Sequence, residues 1–234
     1  MDRLLKNRLI VVISVIAFLG AFVILTIYSF KYKTGYALIS TVTVAISITP
    51  FFLSLEMRKI KARDIVPIAV MAALGAVGRI AFMAIPSVKP TTAIVIITGM
   101  VFGPQAGFLT GAVSALASNF YFGQGPWTPW QMLAWGLCGL LAGLFKNIGL
   151  IRGTKTLVVF GFIVSMLFGV IMNCWQVIGF VNPITLGAVL ATFAASLSFD
   201  ITHALSTSVF LLLLGNIWLK KLERIKRKFG ILQT

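Results

Sequence analysis

The feature that most constrains this chain is the length of its uncharged stretches. No residue from Leu9 to Phe30 is charged, and after Lys31 and Lys33 the chain is again uncharged from Thr34 to Leu55. A cluster from Glu56 to Asp64 precedes an apolar run, Ile65 to Ile85, whose single charge is Arg79. Between Lys89 and Lys146 there is no Asp, Glu, Lys, Arg or His at all. About 20 apolar residues suffice to cross a bilayer as a helix, so such stretches read as membrane spans. Composition agrees: 59% of residues are hydrophobic and 11% charged, against roughly 25% charged in soluble domains. A water-soluble fold is excluded.

Gly and Pro mark the turns. Gly103-Pro104 and the run Gly123 to Pro129 interrupt the long uncharged stretch, because Pro cannot continue a helical ladder and restricts the residue before it. The spacing predicts segments Thr91 to Phe102, Gln105 to Phe122 and Trp130 to Phe145, then Thr156 to Phe180 and a long, tilted or broken Leu186 to Leu219. Thr91 to Phe102 is short for a full crossing and requires neighbours that bury its ends. The total is eight membrane segments in an all-α protein: residues 1–63 as a basic start, two-helix hairpin and connector, 64–219 as a six-helix domain, and 220–234 as a basic tail.

The excess of twenty Lys and Arg over five acids follows the positive-inside pattern. With the N-terminus inside, Arg3, Lys6, Arg8, the 58–63 cluster, Lys146, Arg152, Lys155 and the 220–228 cluster are cytoplasmic. Only Lys31, Lys33 and Lys89 fall outside, and both termini are cytoplasmic. The tail reads as an anchor for anionic lipid, which removes the need for nucleic acid as a partner. The first apolar run is too long for a signal h-region and reads as retained. Cys138 and Cys174 lie in separate helices, with no spacing for a disulfide or a metal site.

Function classes narrow by exclusion. No Walker sequence, His-Glu-x-x-His or Gly-x-Ser-x-Gly occurs, and five acids with one His leave little for general acid and base chemistry. Three groups of residues remain informative. Ala69 with Ala73, and Ala72 with Ala76, are small-xxx-small pairs that serve either internal packing or a partner helix. Gly99, Gly103, Gly107, Gly111 and Ala115 repeat every four residues and read as internal close packing, with Gly103 also serving the turn. Trp127, Trp130 and Trp135, with Gln124 and Gln131, make either an interfacial aromatic belt or a pocket for a large planar solute. Asn119, Asn173, Trp175, Gln176 and Asn182 fall at similar depth.

Intramembrane charges call for partners. Arg79 and Asp200 each lie about fifteen residues, roughly 22 Å, from a cytoplasmic helix end, so a buried ion pair is the first expectation and an anionic ligand group on Arg79 the second. His203 shares a face with Asp200 and is expected to make a helix–helix hydrogen bond.

The residues Ala72 to Phe82, Pro86 to Thr92, Gly99 to Gly103, Ser118-Asn119-Phe120 and Gly123 to Met132 resemble the substrate-binding S component of energy-coupling-factor (ECF) vitamin transporters, with the nearest likeness to the cobalamin-type branch. The resemblance covers about Arg63 to Leu219 and leaves the N-terminal hairpin as an addition. It implies a non-enzymatic subunit without cofactor that captures a vitamin, cobalamin first, beneath the loops Pro86 to Pro90 and Gly123 to Pro129. Arg79, Lys89, Asn119, Gln124, Trp127, Trp130, Gln131, Trp135, Asn173, Trp175, Gln176 and Asn182 would line the site. It also implies a coupling subunit docked on the alanine face, two cytoplasmic ATPases, and release by tilting of the whole S component. A self-sufficient carrier using Asp200 and His203 is the competing class.

Overall fold

A computed structural model describes residues 62–232, together with Gly20, Val44, Ala45 and Ile48. The rest of the expected N-terminal hairpin, and most of the connector, lie outside the described residues. Within them all regular structure is helical: α1 (Ala62–Ala81), α2 (Thr91–Phe102), α3 (Pro104–Phe122), α4 (Trp127–Asn147), α5 (Thr154–Phe180) and α6 (Leu186–Phe210), which passes through a π-helical turn, Leu211–Gly215, into α7 (Asn216–Phe229). Arg63–Ala81, Thr154–Phe180 and Leu186–Phe229 are long and apolar enough to cross a membrane. Val159, Ile163, Leu190 and Leu213 are among the large apolar side chains on the bundle exterior.

The short segment is the centre of the fold. All twelve residues of α2 are buried, and it packs against every other helix from α1 to α7. A polar-ended twelve-residue helix is tolerated at this depth because protein, not lipid, surrounds its ends. Its N-terminus follows Pro90, and it stops at Gly103, whose φ of 98° is open to glycine and strained for other residues. Pro104 then occupies the first position of α3, where no intrahelical N–H bond is lost.

Glycine brings α2, α3 and α4 together. A Cβ on Gly107 would meet the Gly99 Cα at 2.6 Å and the Gly139 carbonyl carbon at 2.7 Å, and one on Gly143 would meet the Gly99 oxygen at 2.7 Å. Gly111 abuts the backbone of Trp135 and Gly136 in the same way. The four-residue glycine period is therefore a backbone-contact seam, except at Gly103, where a Cβ would meet nothing. That residue serves the turn alone.

The helix runs unbroken across position 220, and its basic segment packs on the bundle: the Lys226 ammonium donates to the Val101 carbonyl at 2.6 Å, in the last turn of α2, where a cation complements the helix dipole. Beyond it the Leu232 amide donates to Asp64 Oδ1 at 2.8 Å. Val44 and Ile48, four residues apart and so on one helical face, are buried in a cluster with Phe108, Ala112, Trp130 and Leu133. Val44 and Ile48 thus reach the α3–α4 side of the bundle.

Candidate binding site

The connections α1–α2, α3–α4 and α5–α6 share one end of the bundle, and the polar residues expected at a site gather just below them. Arg79, in the last turn of α1, donates through Nη1 to Ser118 Oγ and to Asn119 Oδ1, both at 2.7 Å. Its guanidinium lies 4.6 Å from the Phe122 ring centroid and 5.0 Å from that of Trp135. Asp200 is engaged elsewhere: its Oδ2 accepts from Asn173 at 3.1 Å and from Ser196 at 2.9 Å. The expected Arg79–Asp200 ion pair is not formed. Arg79 finds its partners on α3, Asp200 finds Asn173 on α5 and Ser196 on its own helix, and Gly169 makes room for the Asp200 carboxylate against α5.

Asn119 is completely committed. Its oxygen accepts from Arg79, and its nitrogen donates to Thr128 Oγ1 and Gln131 Oε1, each at 2.9 Å. An amide offers two donors and one acceptor oxygen, so this side chain joins α1, α3 and α4. Thr128 continues the network by donating to Gln124 Oε1 at 3.0 Å, while Gln124 Nε2 returns to the Leu116 carbonyl at 3.0 Å. The rigidity expected of the Gly123 to Gln131 run arises here. Pro126 caps α4 and Pro129 sits in its first turn, where a missing N–H costs nothing.

The indoles divide by burial. Trp130 and Trp135 are 1% and 0% exposed, so neither is an interfacial belt residue nor an open stacking surface. Trp135 donates to Thr92 Oγ1 at 3.0 Å and packs on Phe168 with centroids 4.7 Å apart. Thr92 also shares a hydrogen bond with His203 Nε2 at 2.8 Å, which is the helix–helix contact expected of that histidine. Trp127 and Trp175 are partly exposed and meet edge to face at 6.2 Å. Gln176 and Asn182 stand exposed, apart from the hydrogen-bonded group.

Lys89 completes the arrangement from the α1–α2 loop. Its amide donates to Ser206 Oγ at 3.2 Å, and its ammonium lies 5.7 Å from the Trp135 ring and 6.0 Å from Phe168. Burial first, and the Arg79 charge second, lower its pKa to about 8 against an opposing pull from Asp200. Sequence reasoning missed Thr92, Ser118, Thr128, Phe168, Ser196 and Ser206. Thr, Ser and Phe are common in apolar helices, and no pattern separates those that meet a charge from those that pack.

The two alanine pairs also divide. Ala72 and Ala76 are buried, at 1% and 6% exposure, and the Ala72 carbonyl accepts from Ser114 at 3.1 Å. Ala69 and Ala73 are exposed, on the face that carries Ile65, Val66, Val70 and Val77. One pair therefore packs α1 on α3, and the other is open to a neighbour.

The described residues form a helical membrane bundle that gathers cations, amides and indoles at one end. Residues 59–223 match the family described as "ECF-type riboflavin transporter, S component", and the chain belongs to that family. The family so described is one of transporter subunits. Similar chains include UPF0397 proteins of Aliivibrio fischeri, 32% identical over 94 residues, or 38% of this chain and 51% of the relative. A UPF0397 protein of Streptococcus gordonii is 40% identical over 92 residues, 36% and 47% of the two chains. The chain spans about half the length of the curated relatives it matches. No solved structure matches it. The description of the matching family names riboflavin, whereas the likeness noted in the sequence was to the cobalamin-type branch; cobalamin has no support from these matches.

Proposed function

We propose that this chain captures a vitamin or vitamin precursor at the outer membrane face and delivers it through an ECF module with a coupling subunit and two ATPases. The observation that carries the reading is the convergence of Arg79 and Lys89 on the Trp135 ring beneath the partly exposed Trp127–Trp175 pair, in a chain of the S-component family. Ligand sites of this kind combine apolar walls with a few convergent polar groups. The open alanine face, Ala69 with Ala73, is the docking surface for the coupling subunit, since small residues allow close helix approach.

The ligand is a compact flat heterocycle. Burial of Trp130 and Trp135 withdraws two of the indole faces on which a corrinoid would spread, leaving Trp127 and Trp175. Support for a flavin comes from the family description. Gln131 has an amide nitrogen to offer a ring edge, and the Asp200–Asn173–Ser196 group can bond hydroxyls. The test is the absorbance of material carried through purification, because flavins and corrinoids are both coloured with distinct spectra. A flavin spectrum supports the assignment, a corrinoid spectrum restores the cobalamin expectation, and binding of neither, with no other small molecule retained, sinks the capture reading.

A further inference from the structure

Lys89 and Arg79 are two cations on one indole, and the acid near them is engaged with other partners. Among the described residues the only carboxylate–cation contact within 4 Å is Arg63–Asp64, at 3.9 Å, far along α1 from this site. The Lys89 ammonium makes no hydrogen bond or ion pair among the described residues; aromatic faces are its neighbours. Arg79 uses one of its nitrogens, Nη1, on Ser118 and Asn119. α2 begins two residues after Lys89, behind Pro90 and with no side-chain cap, so the positive end of its dipole lies at the same end of the bundle. Against this stand the single carboxylate of Asp200 and the imidazole of His203, which is bonded to Thr92. Two partly buried cations beside one engaged carboxylate leave an excess of positive charge, which is costly unless a partner arrives.

We propose that Lys89 and Arg79 receive an anionic group, a carboxylate or a phosphate, on the captured molecule. The inference rests on the capture reading and narrows its substrate class: the true ligand carries a negative charge beside its flat or apolar part.

The test uses pairs of compounds that differ in that charge: flavin mononucleotide against riboflavin, and pantothenate against pantothenol. Each is titrated into the full chain in neutral detergent, and any molecule retained through purification is identified by mass spectrometry. The anionic member of whichever pair binds should be at least about tenfold tighter. Lys89→Gln should erase that preference, and Lys89→Arg should retain most of it. Arg79→Gln, which also loses the Ser118 and Asn119 bonds, is interpreted only alongside its melting temperature. Equal or tighter binding of the neutral member, or a neutral retained molecule, overturns the inference and leaves capture standing. Loss of the preference on adding anionic phospholipid assigns the cations to lipid headgroups and also overturns it. If no pair binds, an anionic retained molecule supports the proposal; absence of any bound molecule removes both readings.

Discussion

At the scale of single residues, burial separates side chains that the sequence presents as equals. Trp127 and Trp130 are three positions apart, yet Trp127 lies at the rim and Trp130 in a core cluster. Trp127→Ala should weaken ligand binding by roughly 1–3 kcal/mol with little change in melting temperature. Trp130→Ala should instead cost about 3–5 kcal/mol of stability through the cavity it leaves. Equal effects of the two on affinity, at equal stability, would contradict the division. The Lys89 ammonium, lowered to about 8, carries a pH prediction of definite sign. It is protonated below that value, so affinity for an anionic ligand should fall as the medium is raised from about pH 7 to pH 9. The titratable groups facing it are Arg79, Asp200 and His203. A flat profile in Lys89→Gln, measured beside the native chain, identifies the titrating group.

At the scale of elements, the backbone-contact seam and the alanine face make opposite demands on a larger side chain. Gly107→Leu would force α2, α3 and α4 apart and should lose more than the roughly 1–3 kcal/mol typical of overpacking, visible as loss of the monodisperse protein on gel filtration. Ala69→Leu with Ala73→Leu adds bulk to an open face and should spare folding and ligand binding while abolishing copurification with the coupling subunit. Normal assembly of that double variant would remove the docking assignment. The same substitutions at Ala72 and Ala76 should destabilise the bundle, because those positions pack α1 against α3. Loss of assembly there would say nothing about docking.

At the scale of the whole molecule, the proposed ECF role assigns ATP hydrolysis to partner subunits. Uptake by cells should persist when the proton gradient is collapsed but ATP is maintained, and should stop without the ATPases. Robust transport by this chain alone in proteoliposomes would favour the self-sufficient carrier using Asp200 and His203. The hydrogen bonds of His203 to Thr92 and of Asp200 to Asn173 and Ser196 give both residues helix-joining roles that need no proton traffic.

The sequence by itself determined the helices and their ends. Breaks at Gly103-Pro104 and around Gly123 to Pro126 are local consequences of φ restriction and the missing proline N–H, so α2 was legible from Thr91 to Phe102, and α3 and α5 to within two residues at their starts. Charge spacing likewise marked the apolar segments, because desolvating a charge is costly wherever the helix lies. Only the tertiary structure decided which faces meet. It paired Arg79 with Ser118 and Asn119 in place of Asp200, buried Trp130 and Trp135, and sent Ala72 inward and Ala73 outward. Those outcomes depend on helix rotation and on the close approach at Gly99, Gly107 and Gly139. A side chain's partner is set by the neighbouring backbone's position, to which its own segment carries no local signal.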